Sequence, residues 1–382
     1  MYRNYKMKIL YCIAGTCHSG GMERVLANKA NYLVAHGYEV VIVTTDQQGQ
    51  PPFFALDQRI RCVDLGINYE ENNGKSFFNK LLHYPLKQYK HRLRLSKVLY
   101  HEQPDITISM FCNDAGFITH IKDGSVKLLE IHFSKFKRLQ YGRKGVWRLA
   151  DLWRSKQDEK IVARFDKFVV LTKEDKSYWG KLHNIIVIPN ALTFSTTRQA
   201  LLENKKVVAV GRYTYQKGFE RLIEAWRMIA RHFPDWKLDI VGDGEAREAL
   251  LRQIQTYGLE QQIALVYPTK EIEKIYLDAS LLVLSSRYEG LPMVLLEAQS
   301  FGLPIVSFRC KCGPADIVTD GVNGFLVEEG NIQELAKQMT VVMKNDDLRK
   351  RMGAKAKEAS FRYCEDVVMQ QWVTLFRSLM KI

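Results

Sequence analysis

Short apolar runs recur along the chain, each closed by a glycine or a polar turn and followed by a stretch of helical period. In the first half they occupy residues 8–14, 39–45, 59–65, 105–110, 127–131, 165–171 and 185–188. In the second half they occupy residues 206–210, 236–241, 263–266, 281–285, 305–306 and 324–327. Runs this short, with no apolar–polar alternation, suit parallel strands covered on both faces. Between them, residues 21–36, 219–232, 271–279, 293–301, 332–344, 348–360 and 366–380 read as helices. Strand and helix alternating in this way predict an α/β protein built from doubly wound parallel sheets. At 382 residues the chain is too long for one ordinary core. The pattern divides it into a domain over 1–193, a polar and uneven linker over 194–204, a second domain over 205–365 and a terminal helix over 366–382.

Residues 281–307, LLVLSSRYEGLPMVLLEAQSFGLPIVS, are the most informative stretch. An apolar strand leads into Arg287-Tyr288-Glu289-Gly290, a polar turn holding a glycine. Pro292 suits the first helical position, where its missing N–H costs nothing, and Gly302 ends the helix. A helix N-terminus beside a strand end carries unpaired N–H groups and partial positive charge, so it attracts phosphate. Glu289 stands just before this helix and Glu297 within it. From Pro292 to Glu297 the helix rises about 7 Å, roughly the length of a diphosphate. Two acids on either side could hold hydroxyls at each end of such a group.

Glu289 and Glu297 form E-x7-E within EGLPMVLLE, which resembles the signature of the retaining glycosyltransferases of family 4. That resemblance implies the GT-B fold, two Rossmann-like domains facing a central cleft. It implies that Glu289 contacts the donor sugar and Glu297 the ribose, with backbone groups of Gly290, Leu291, Pro292, Met293 and Val294 on the diphosphate. Gly211-Arg212-Tyr213-Thr214-Tyr215-Gln216-Lys217-Gly218 is similar to the family's G-R-x4-K-G element. Arg212 and Lys217 are thereby implied as a diphosphate clamp, with Gly211 beside them. Fixed cations in a cleft would stabilise the charge that a departing diphosphate gains. Gly20-Gly21 resembles the family's glycine pair near donor phosphate and acceptor, although a tight strand–helix turn would look the same. His132, at a strand end, is implied as a donor contact, and Tyr267 as a contact to the base. Gly242-Asp243-Gly244-Glu245 is similar to a family element near the nucleotide, and the last helix is expected to cross back to the first domain. The resemblance covers the whole chain and is specific over residues 206–327.

No Asp-x-Asp occurs in the sequence, so no metal or other cofactor is expected. The family's retention, attack on the same face as the departing diphosphate, needs no dedicated nucleophile, and the sequence offers no obvious one.

Charge adds a partner. Residues 1–195 carry 30 Lys and Arg against 18 Asp and Glu, and the remainder 26 against 24. Residues 74–100 hold seven basic and no acidic side chains among aromatic and leucine residues, with Pro85 expected to split them into two helical pieces. Residues 133–160 hold nine basic against three acidic side chains, again with aromatics. Such segments suit an anionic membrane surface, or equally a solvated face over packed apolar residues. The expected partners are a nucleotide-sugar, UDP rather than GDP, and a lipid-linked or lipopolysaccharide glycan acceptor, with no nucleic acid. The protein is expected in the cytoplasm, at the inner face of the membrane: its seven cysteines form no C-x-x-C, and no apolar run is long enough to span a bilayer. Two other readings remain open, a basic nucleic-acid-binding protein and a phosphorylase or synthase of the same fold.

Overall fold

The computed structural model describes residues 6–72, 77–137, 145–194 and 196–380. Of these, the residues within Met1–Leu171, Tyr178–Ile188 and Met369–Ile382 gather into one compact unit. Those within Thr172–Ser177 and Pro189–Val368 gather into a second.

The first half runs β1 (Lys8–Ile13), α1 (Gly21–Ala35), β2 (Glu39–Thr44), β3 (Arg61–Asp64), α2 (Phe77–Glu102), β4 (Ile106–Ser109), β5 (Val126–Glu130), α3 (Val146–Val162), β6 (Lys167–Val170), α4 (Lys173–Tyr178) and β7 (Ile185–Val187). Its strands form one parallel sheet in the order β3-β2-β1-β4-β5-β6-β7. The second half runs β8 (Lys206–Val210), α5 (Phe219–Ile229), β9 (Lys237–Val241), α6 (Arg247–Thr256), β10 (Ile263–Val266), α7 (Ile272–Asp278), β11 (Leu281–Leu284), α8 (Met293–Ser300), β12 (Ile305–Arg309), α9 (Pro314–Ile317), β13 (Gly324–Glu328), α10 (Ile332–Lys344), α11 (Asp346–Ser360) and α12 (Glu365–Met380). Its parallel sheet has the order β10-β9-β8-β11-β12-β13.

Both sheets are doubly wound, as the apolar runs predict, and each run forms a strand within a few residues of its expected ends. The central strands are apolar because helices cover both faces: Ile9, Leu10 and Tyr11 of β1 and Val207, Val208 and Ala209 of β8 are fully buried. Trp226 and Phe219 of α5 pack with Leu335 and Met339 of α10 in the core of the second unit.

Pro85 corrects one expectation. It does not split the basic segment, because α2 continues through it from Phe77 to Glu102. Residues 83–86 around it are exposed, and buried His91, Leu95 and Leu99 hold the later turns of the helix. Residues 73–76 and 138–144 of the two basic segments, Lys75 and Tyr141 among them, lie outside the described residues. No helix among the described residues is long and apolar enough to cross a membrane.

The compact units cut the chain differently from the domain bounds expected above. Residues 172–177 join the second unit because Asp316 caps α4, its carboxylate accepting from the N–H groups of Lys173 at 2.8 Å and Glu174 at 3.2 Å. Residues 189–193 join it too, and Leu192 donates its N–H to the Tyr363 carbonyl at 2.8 Å.

From Met369 onward α12 belongs to the first unit. There the ring of Trp372 lies 3.8 Å from the ammonium of Lys29, which reaches from α1. Lys29 also pairs with Glu130, at the end of β5, at 2.5 Å. Burial pushes the Glu130 carboxyl up, but Lys29 and His132 more than reverse this and hold it at about 2. A carboxyl held below its unfolded value stabilises the fold above the ordinary range, and that share is lost as pH falls from about 4.5 toward about 2. Lys29→Met strands the buried carboxylate and is expected to cost about 3–5 kcal/mol in a urea titration. A loss below about 1 kcal/mol would show that the pair carries no such charge.

Candidate functional site

In an open parallel sheet, ligands sit beyond the C-terminal strand ends where the strand order reverses. In the second sheet that point lies between β8 and β11. The loops leaving these two strands are the two glycine-bearing stretches singled out above. They are stitched together: Arg287 N–H donates to the Gln216 carbonyl at 2.8 Å, Gln216 Nε2 to the Tyr288 carbonyl at 2.9 Å, and Ser285 Oγ to the Lys217 carbonyl at 2.9 Å. Fully buried Tyr213 pins the β8 loop from below, its hydroxyl donating to the Ile240 carbonyl at 2.7 Å. Gly218 has φ +64°, and a Cβ there would lie 2.5 Å from the Ser285 carbonyl oxygen. Only glycine lets the two loops approach this closely.

This approach brings Lys217 to Glu289, Nζ to Oε1 at 2.8 Å. Ser286 Oγ donates to the same oxygen at 2.6 Å. Glu289 is 7% exposed, and its Oε2 has no protein partner among the described residues. Glu297, 8% exposed on α8, is held from two sides. The Tyr276 hydroxyl donates to its Oε2 at 2.8 Å and Thr193 Oγ1 to its Oε1 at 3.3 Å. Both acids therefore have fixed orientations, as binding groups require.

Gly290 and Leu291 form the turn between Glu289 and α8, and Pro292 is the N-cap, one place earlier than expected. The N–H groups of Met293 and Val294 have no acceptor among the described residues, as the first turn of a helix leaves them. Arg212 is exposed and makes no ion pair among the described residues, while Lys217 is paired with Glu289. Gly211 lies under the Lys217 stem, whose Cδ is 3.1 Å from where a Cβ would stand. Tyr267, 61% exposed after β10, stacks beneath the Arg247 guanidinium at 3.9 Å.

The other expected residues lie in the first unit. Gly20 is the N-cap of α1 and Gly21 its first residue. The Glu23 carboxylate folds back over Gly20, to within 2.1 Å of where a Cβ would stand, so the pair leaves room for an acid at the helix tip. His132 follows β5, its Nε2 3.2 Å from Glu130 Oε1. Ser286, Tyr276 and Thr193 escaped sequence reading, since a hydroxyl carries no signal until its partner is placed. Asp114 also escaped it: burial pushes its carboxyl up to about 6 in the loop that follows β4, a perturbation of the kind that marks functional sites. Among the described residues no group of three or more His, Cys, Asp or Glu is placed to hold a metal ion. Gly218→Ala combines a positive φ with a backbone clash and is expected to lower stability by more than about 1 kcal/mol. An unchanged melting temperature would contradict the close approach.

Two family models divide the chain. That for "Glycosyltransferase Family 4" matches residues 19–195, and that for "Glycosyl transferases group 1" matches residues 195–359. An uncharacterised glycosyltransferase of Haemophilus influenzae is 31% identical over 369 residues, spanning 96% of this chain and 98% of its own. The amylovoran biosynthesis glycosyltransferase AmsD of Erwinia amylovora is 29% identical over 387 residues, 96% and 98% of the two chains. A lipopolysaccharide 1,6-galactosyltransferase of Salmonella typhimurium is 26% identical over 356 residues, 89% and 90% of the two chains. The crystal structure of a Staphylococcus aureus TarM point mutant, in complex with fondaparinux, alpha-GlcNAc-glycerol and UDP, superposes with TM-score 0.74 at 18% identity, covering 97% of this chain and 99% of that one. With two models meeting at residue 195, a relative above 30% identity along almost its whole length and two doubly wound sheets in common with a solved glycosyltransferase, this chain belongs to glycosyltransferase family 4 and has the GT-B fold.

Proposed function

We propose that the chain is a retaining glycosyltransferase that moves a hexose or N-acetylhexosamine from a UDP-sugar to a lipid-linked or lipopolysaccharide-type glycan, without a metal ion. The observation that carries this reading is the Lys217–Glu289 pair at the tip of α8, where the strand order reverses. An ammonium has three donors, and Glu289 uses one. The others are available to diphosphate oxygens, beside the unpaired N–H groups of Met293 and Val294. Exposed Arg212 adds a second cation. As the bond from sugar to diphosphate breaks, negative charge grows on the leaving group, and these fixed positive groups stabilise it more than the ground state. Glu289 Oε2 then serves a sugar hydroxyl and Glu297 the ribose, while Tyr267 lies near the base. In this reading the acceptor hydroxyl attacks from the face that the diphosphate leaves and gives its proton to a diphosphate oxygen. The relatives' printed activities favour glycan acceptors, and UDP in the TarM crystal favours a uridine donor.

We also assign a membrane surface as partner of the first unit. Tyr84, Leu86, Tyr89 and Leu93 of α2 and Leu149, Leu152 and Trp153 of α3 are exposed among lysines and arginines. Rings at the interface and ammonium groups on lipid phosphates suit this composition.

Glu289→Ala, Glu297→Ala and Lys217→Ala are each expected to cut UDP release from UDP-hexoses about tenfold or more, with unchanged circular dichroism. Wild-type rates in all three would remove the assignment. Turnover is expected to survive EDTA, and UDP at about 100 times its dissociation constant is expected to add about 2.7 kcal/mol of stability where GDP adds less. The protein is expected to sediment with anionic but not neutral vesicles, and no sedimentation would sink the membrane assignment.

A further inference from the structure

The Lys29–Glu130 pair costs more than it needs to if it only holds α12 to the sheet. The two side chains are 5% and 1% exposed, and desolvating two charges forfeits several kcal/mol that an apolar pair would keep. What the charge achieves is visible one step further along the chain. Glu130 Oε1 stands 3.2 Å from Nε2 of His132, whose side chain is 8% exposed. Neither ring nitrogen of His132 has a hydrogen-bond partner among the described residues. Glu130 Oε2 has none either. Buried polar atoms are almost always satisfied, so an imidazole with two unfilled nitrogens marks a place completed by another molecule.

Chemistry then selects which nitrogen does what. Glu130 stays a carboxylate under ordinary conditions, because Lys29 overrides the effect of burial. A carboxylate oxygen at 3.2 Å repels a lone pair and attracts an N–H, so the hydrogen of a neutral His132 belongs on Nε2. Its lone pair is left on Nδ1. The same division, a carboxylate fixing the tautomer of a histidine that serves a substrate, recurs in catalytic sites.

We propose that Glu130 is a positioning residue: anchored by Lys29, it fixes the Nε2–H tautomer of His132, so that Nδ1 accepts a hydrogen bond from a substrate hydroxyl. This rests on the glycosyltransferase reading only for the identity of the substrate. The tautomer itself is a property of the protein alone.

Two measurements test it. The first is a long-range proton–nitrogen spectrum of protein labelled with nitrogen-15 histidine, at about pH 8.5, where an ordinary imidazole is neutral. The His132 signals are identified by their loss in His132→Asn. The wild type is expected to show Nε2–H and a bare Nδ1, and Glu130→Gln a mixture of tautomers. Glu130→Gln leaves Lys29 unpaired and could weaken the fold, so Lys29→Met/Glu130→Gln, which removes both charges, is measured alongside and is expected to show the same mixture. A wild type carrying Nδ1–H, or an unchanged tautomer in both variants, overturns the proposal. The second is turnover of UDP-hexoses. Glu130→Gln is expected to lower kcat about tenfold to a hundredfold, with the donor KM within about twofold, and to cost nothing further in a His132→Asn background. An equal loss in both backgrounds would show a purely structural role and overturn the proposal. If the wild type releases no UDP from any UDP-hexose, the reading of the reaction fails, while the spectrum still decides the tautomer.

Discussion

The candidate site of the second unit depends on the ion pair between Lys217 and Glu289. The pair spans 72 residues of sequence and forms only because two strands that are distant in the chain lie side by side. β8 and β11 pair in parallel at the centre of the sheet, and the chain winds outward from them in both directions. Their loops leave from the same edge with no helix between them. Gly218 removes the side chain that would hold them apart, and three cross-loop hydrogen bonds close the gap. The outcome is an ammonium and a carboxylate in contact at a helix tip, each with hydrogen-bonding capacity left over. A phosphate and a sugar hydroxyl match what is left.

The first unit uses charge in a different way. Its pair, Lys29 and Glu130, is buried more deeply than Lys217 and Glu289. It ties together α1, the end of β5 and the last helix, and it borders the histidine that follows β5. Where the second unit leaves Lys217 partly exposed, the first buries Lys29 against an acid that borders an imidazole. Both arrangements stand at C-terminal strand ends, where helices leave the sheet edge uncovered.

Much of this was legible in the sequence. Apolar runs bounded by glycines marked the strands because a parallel sheet needs no alternation, and Gly211 to Gly218 and Glu289 to Glu297 stood out by their resemblance to the motifs of a known family. What stayed hidden depends on three-dimensional proximity. The contact of Lys217 with Glu289 links two motifs that sequence reading assigned to different parts of one ligand. The hydroxyls of Tyr276, Ser286 and Thr193 became visible only with their acids. Pro85 misled because its local effect is real, yet α2 keeps its course where the surrounding residues are exposed and the later turns are buried. The placement of residues 172–177 rests on the carboxylate of Asp316, which lies 143 residues from Lys173.

The central claim is that the Lys217 ammonium serves the second phosphate of a uridine nucleotide. Calorimetric titration of UDP, UMP and uridine into the wild type and Lys217→Met measures this directly. UDP is expected to bind the wild type about tenfold or more tighter than UMP, equivalent to about 1.4 kcal/mol, and the advantage is expected to disappear in the variant while uridine binds both alike. An equal preference for UDP in the two proteins would contradict the claim.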